Sequence, residues 1–211
     1  MEKENYQKIL GKKTGRDLEI LKKVDLPKGF YLAGGTGVAL FLKHRRSFDL
    51  DFFTQKSFRA DLLVKKLAKA GKFRLERKGE GTILGYFGET RVSFFSYPYP
   101  LIKPLRKING IMVADILDIA CMKLDAIASR GSKKDFIDLY EIIQSGHSLK
   151  DLLGWFNQKY KGLDYNILHL KKGLVYFDDA DKERGLILLK DIDWEEVKDF
   201  FRQELKNSSI D

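Results

Sequence analysis

The chain of 211 residues has one cysteine, Cys121, four prolines and three histidines. A lone cysteine excludes an intrachain disulfide and a cysteine-built zinc site. His44, His147 and His169 are too scattered for metal-ligand spacing. No segment has the ~20 consecutive apolar residues of a membrane span, and the uncharged run Val92–Ile102 carries Pro98 and Pro100. The first residues, MEKENYQKIL, are charged and show no apolar signal region. These absences predict a reducing, cytoplasmic setting and no membrane association. Negative charge is the scarcer sign: 30 Asp+Glu face 39 Lys+Arg, for a net +9. Such an excess suits a polyanionic partner, nucleic acid or nucleotide, or else a solvated lysine surface. With 44% apolar residues, a chain this long can bury a core without staples.

The pattern is mixed α/β first and helical last. Residues 1–27 read as helix, ending at Pro27-Lys28-Gly29. Phe30–Ala33 reads as a strand entering the turn Gly34-Gly35-Thr36-Gly37, and Val38–Leu42 as a short helix. Phe48–Phe52 alternates strictly: Phe48, Leu50 and Phe52 on one face, Asp49 and Asp51 on the other. Ser57 is placed to cap a helix over Phe58–Ala70, stopped by Gly71. Phe73–Arg77, Thr82–Phe87 and Arg91–Ser96 read as a meander, followed by an irregular stretch marked by Pro98, Pro100 and Pro104. From about Ala114 apolar residues recur at helical spacing, with an interruption at Gly131-Ser132; Leu149–Tyr160 and Trp194–Leu205 read as further helices. The expected architecture is a mixed sheet flanked by helices in residues 1–108 and a helical half in 109–211 closing one side of a cleft.

The chemistry-bearing segment is Gly34-Gly35-Thr36, followed after twelve residues by Asp49-Leu50-Asp51. Side chains two apart on a strand share a face, with Cα atoms ~6.5–7 Å apart. Two carboxylates so placed repel unless a cation or water intervenes. Mg²⁺ commonly bridges such carboxylates to substrate phosphates, and a glycine turn opening a helix offers N–H groups to a phosphate. Phosphoryl or nucleotidyl transfer uses this equipment; an exposed acidic strand beside an ordinary turn is the plain alternative. Other phosphate loops fit poorly. No Gly-x-x-x-x-Gly-Lys-Ser/Thr occurs, and Leu40 stands where a dinucleotide-binding turn wants its third small residue.

A second segment spans Asp118–Tyr140. Lys123 falls within an apolar stripe, so it either snorkels outward or is held in a cleft, where its ammonium would neutralise triphosphate charge. Arg130 would do the same with a fork. Asp135 and Asp138 lie three apart on one helical face. Ser132-x-x-Asp135 also matches a capping box, which leaves Asp135 either a helix-start residue or a site residue.

Three blocks together resemble the nucleotidyltransferases of the AbiEii/AbiGii toxin family, within the DNA polymerase β-like superfamily. They are Leu32-Ala33-Gly34-Gly35-Thr36, the block from His44-Arg45-x-Ser47 to Asp49-Leu50-Asp51-Phe52-Phe53, and the block from Lys123 through Arg130 and Lys133-Lys134-Asp135 to Tyr140. The resemblance implies a nucleotidyltransferase fold. Gly34, Gly35, Thr36, Ser47, Lys123 and Arg130 would bind nucleotide, with Ser47 beside the metal. Asp49 and Asp51 would bind Mg²⁺, and Lys123 and Asp135 would complete the catalytic site. It implies transfer of a nucleoside monophosphate from an NTP, acceptors such as tRNA 3′ ends, and a separate antitoxin as partner. One departure stands out. Where superfamily members carry a third strand carboxylate, often the general base, this chain has Ser93; Glu89 is near but outside the alternation, and Asp135 is the other candidate. That departure keeps a non-catalytic nucleotide- or RNA-binding module open as a second reading, with nucleotidylation of a partner protein as a third. His44 is expected to be structural, and most of the aromatic residues to pack the core.

Overall fold

The computed structural model describes residues 2–163 and 165–207. Its centre is one sheet of seven strands: β1 (Tyr31–Leu32), β2 (Leu50–Thr54), β3 (Phe73–Gly79), β4 (Thr82–Phe87), β5 (Thr90–Ser96), β6 (Arg106–Ile108) and β7 (Ile111–Val113), in the order β3-β4-β5-β2-β1-β7-β6. The sheet is mixed. β2 runs parallel to β5 and β1 parallel to β7, while β1 is antiparallel to β2. The expected meander is present as β3-β4-β5, antiparallel throughout.

Helix α1 (Glu2–Leu21) is broken at Gly11, whose φ of +73° is the left-handed region that glycine tolerates. A Cβ there would lie 3.4 Å from the Phe48 ring, so the break lets the helix pass over that side chain. α1 ends at Leu21, short of the expected residue 27. Pro27 cannot continue the helical ladder, and it disfavours helical geometry at Leu26. α2 (Gly34–Leu42) follows β1, and α3 (Ala60–Ala70) follows β2. Ser57 does not cap α3: Arg59 stands at the N-cap with no side-chain bond. The chain stays extended to that point because Phe58 packs edge-on against Phe30, 5.1 Å between centroids.

After the proline-marked connection comes a hairpin that the apolar periodicity did not reveal. β6 and β7 are joined by Asn109-Gly110, both left-handed (φ 47° and 81°), the residue pair favoured in two-residue hairpin turns. The helices α4 (Ile116–Ser129), α5 (Lys133–Gln144), α6 (Leu149–Lys159), α7 (Ile167–Gly173) and α8 (Trp194–Asn207) complete the chain, with a short 3₁₀ turn at Ala180–Lys182. The expected stripe of α4 is buried at Ile119, Ala120, Leu124 and Ile127, and that of α5 at Phe136, Leu139 and Ile143. Among the described residues no helix is long and apolar enough to cross a membrane.

Candidate active site

Two loops and two helices meet over the sheet at a cleft of about 610 Å³. Asp49 and Asp51 both line it, together with Gly34 and Gly35. The two carboxylates therefore lie to one side, although β2 begins only at Leu50 and Phe48, expected on the opposite face, is exposed and lines the same cleft. Asp51 lies directly against the glycine bend: a Cβ on Gly34 would sit 3.2 Å from Asp51 Oδ2, and Gly34 has φ +64°. Burial, and then the neighbouring charge of Asp49, push the Asp51 carboxyl above the ordinary aspartate range, against a hydrogen bond from Ser93 that pulls it down. Ser93 is the register partner of Asp51 on β5. The position of the superfamily's third acid therefore carries a hydroxyl that donates to one of the first two.

Thr36 and Ser47 support this platform from beneath. Both are buried, and their hydroxyls lie 2.8 Å apart. Thr36 also bonds the backbone carbonyl of Asp49. One hydroxyl has one proton, so Thr36 donates to that carbonyl and accepts from Ser47. Thr36 thus holds the aspartate loop through the Asp49 carbonyl, and Ser47, bonded to Thr36, also lines the cleft.

Lys123 does not snorkel. It is 4% exposed, with Nζ 2.7 Å from Asp135 Oδ1 and 2.6 Å from Asp138 Oδ2. Asp138 also accepts from Arg45 (Nε 2.6 Å, Nη2 2.7 Å) and contacts His44 Nε2 at 2.7 Å. Asp135 further accepts from Ser132 (2.6 Å) and Arg130 (3.0 Å). Three buried cation-forming side chains, Lys123, Arg45 and His44, and the exposed Arg130 thus meet on two buried carboxylates beside the cleft. Both carboxyls must overcome burial to ionise, and the cations prevail: Lys123 and Arg130 lower Asp135 to about 2, and Lys123 with Arg45 drives Asp138 lower still. Asp135 is thus held as an ionised partner of Lys123 and Arg130 at the edge of the cleft.

Gly35 is part of the same cluster. A Cβ there would stand 2.3 Å from Arg45 Nη2. Gly35→Ala is therefore expected to push Arg45 off Asp138 and cost on the order of 1–3 kcal/mol, seen as a lowered melting temperature; an unchanged melt would show that the guanidinium can move freely.

Further cations lie on the rim, where Arg130 is already tied to Asp135. Arg46, Arg91, Arg130 and Lys134 line the cleft, and Arg46 keeps a buried Nε without a hydrogen-bond partner. Among the described residues Arg46, Arg91 and Lys134 make no ion pair. Beyond Asp51 the same strand face carries Phe53, paired in register with Phe95; with Tyr97 they form an aromatic wall, ring centroids 5.3 and 5.5 Å from Phe53. The third side comes from the chain's last third. Arg46 N donates to Ile187 O (2.8 Å), Leu189 N to His44 O (2.7 Å), and Gly185, Leu186 and Ile187 line the cleft.

The sequence brought forward Gly34, Gly35, Thr36, Ser47, Asp49, Asp51, Lys123, Arg130 and Asp135; all line this cleft except Thr36, which is buried next to it. It passed over the roles of Arg45 and Asp138, although the i, i+3 spacing of Asp135 and Asp138 was the available signal. Nothing in the sequence pointed to residues 185–187. Among the described residues no three His, Cys, Asp or Glu side chains form a ready-made metal cage.

No protein-family model matches the chain. It is 39% identical over 204 residues to the uncharacterized protein aq_aa25 of Aquifex aeolicus, covering 93% of this chain and 96% of that one. Two solved structures from Helicobacter pylori share the architecture. One, reported as a candidate nucleotidyltransferase, superposes with a TM-score of 0.58 at 17% identity over 94% of this chain and 95% of its own. The other, JHP933, gives 0.54 at 18% identity over 95% and 96%. At such identities the likeness is one of fold, and the fold is nucleotidyltransferase-like.

Proposed function

The chain belongs to one family with the Aquifex protein, and we propose that it is a Mg²⁺-dependent nucleotidyltransferase that moves a nucleoside monophosphate from an NTP to an acceptor hydroxyl. The observation that carries this reading is the joint projection of Asp49 and Asp51 into a cleft floored by the Gly34–Gly35 bend. The donor set fits the metal: two hard carboxylates side by side, Asp51 raised by burial and then by the charge of Asp49, in a cleft with room for phosphate and water oxygens. Bound there, the ion would supply charge stabilisation at the phosphoryl oxygens.

The remaining work falls to the chain's own groups. Arg46, Arg130 and Lys134 hold the triphosphate. The first N–H groups of α2 have no helical partner and add to the phosphate's cradle. Phe53, Phe95 and Tyr97 stack the base. The acceptor oxygen bonds the α-phosphorus as the bond to the bridging oxygen breaks, and pyrophosphate leaves. Lys123 acts through Asp135 and Asp138, keeping Arg45 and the glycine bend in place. The likeness of the three sequence blocks to AbiEii/AbiGii toxins supports an RNA 3′ end as acceptor, tRNA foremost, and an antitoxin protein as partner.

Ser93 in place of a third acid favours a second reading, a module that binds nucleotide or RNA without transfer. Incubation with each NTP, Mg²⁺ and total RNA, read by pyrophosphate release and 3′-end sequencing, separates the two. The transferase reading expects both signals, lost on chelation; nucleotide binding by calorimetry with no pyrophosphate would leave the module. A further expectation concerns the phosphate contacts. Lys134→Ala should raise the KM for NTP about tenfold, the effect of a lost charged hydrogen bond, and leave the melting temperature unchanged, whereas Lys123→Ala should lower the melting temperature sharply.

A further inference from the structure

The face of the sheet that bears Asp51 continues outward past the cleft. In register from β2 to β3 the row through Asp51 is Asp51, Ser93, Leu84, Arg77. The next row is Arg91, Tyr86, Arg74. Cross-strand partners share a face, so three arginines and a tyrosine occupy one side of β3-β4-β5. Arg74, Arg77 and Arg91 are exposed, Tyr86 is half-buried, and the Arg74 guanidinium covers the Tyr86 ring at 4.5 Å. Opposite this face stands the broken part of α1. Between them runs an open groove of about 650 Å³ whose lining includes Lys12, Lys13, Phe48, Tyr86 and Arg91. Phe48 is 45% exposed. The groove shares Phe48, Asp49 and Arg91 with the candidate active site, so it opens onto the acidic pair. Of the two acids that line it, Asp49 belongs to the candidate active site and Glu89 is paired with Lys13; nearby, Glu76 lies 3.9 Å from Arg74 and Asp17 accepts from Thr90 at 2.8 Å.

We infer that this groove is the track of the acceptor, a single-stranded nucleic acid whose terminal hydroxyl is delivered to Asp49 and Asp51. The inference rests on the transferase reading for the word acceptor, but the binding surface is tested without it. Cations spaced along a groove follow a phosphate backbone, and an aromatic ring among them stacks a base of any sequence. A duplex has no unstacked base to offer Tyr86. An acidic polypeptide would match the charge and leave the aromatic rings without a function.

The test uses the full chain and a fluorescent single-stranded RNA of about twelve nucleotides, read by polarisation across a salt series with no NTP. Tyr86→Ala should weaken binding roughly tenfold or more, and Tyr86→Phe, which keeps the ring, should bind like the parent. Arg74→Ala with Arg77→Ala should lower the slope of log affinity against log salt by about 1.4, about 0.7 for each lost phosphate contact. Unaltered melting temperatures would show that the fold survives. Parent protein that does not bind the RNA, variants with unchanged affinity and slope, equal binding of a duplex, or equal displacement by polyglutamate would each overturn the groove. If the variants lose RNA while the parent never releases pyrophosphate, the groove stands and the transferase reading falls.

Discussion

Asp49→Asn is expected to cut nucleotide transfer by about a thousandfold, the scale at which removal of one preorganised electrostatic group acts, while the protein stays folded. The two effects separate because the residue is used twice. Its backbone carbonyl is held by Thr36, and asparagine leaves that bond intact. Its carboxylate projects into the cleft beside Asp51, where it makes no ion pair among the described residues and raises its neighbour's proton affinity. Losing the charge therefore removes a repulsion and should leave the melting temperature unchanged or slightly higher. Pyrophosphate release and labelled-nucleotide incorporation read the first effect, and a thermal melt the second. Retention of a tenth of the parental rate would remove Asp49 from the chemistry.

The largest effect on stability is expected at Asp138. Replacing it with Asn leaves Arg45, Lys123 and His44 around a neutral amide in a fully buried site. Breaking a buried ion pair by removing one partner costs about 3–5 kcal/mol, on the order of 10 °C in a domain of this size. The same network sets the acid limit. Asp135 and Asp138 have folded pKa values below their unfolded ones, so their stabilisation is complete above the unfolded value near 4 and is lost as pH falls through the folded values, about 2 for Asp135. The parent's melting temperature should hold to about pH 4 and decline below it. In Asp138→Asn the curve should start lower and decline less, because one of the two linked carboxyls is gone. Parallel curves for parent and variant would deny the linkage.

Much of the fold was legible because period and punctuation are local. Alternation placed Asp51 on the cleft face of β2 with Asp49 just before the strand, and glycine turns marked the β3-β4-β5 meander. What stayed hidden depends on contacts distant in sequence. The β6–β7 hairpin is three residues a side, too short for a periodic signal, though Asn109-Gly110 was readable as its turn. The Lys123 stripe set a charge on an apolar face and left open whether it would snorkel or be held; its burial and its carboxylate partners come from α4 packing beside α5. Thr36 looked like a phosphate ligand because it follows two glycines, yet its hydroxyl points down to Ser47. The pairing of residues 187–189 with 44–46 joins segments some 140 positions apart, and neither carries a pattern by itself.

Strand β2 acts as a ruler. Asp51 and Phe53 stand on it two residues apart, hence ~6.5–7 Å, so under the proposed function the reacting end of a nucleotide and its base would be measured against one inflexible scale. Lengthening that scale by a single residue would turn one of the two marks to the sheet's far side. The dimension is thus locked in the backbone, and selection can change what each end grips but not the interval between them.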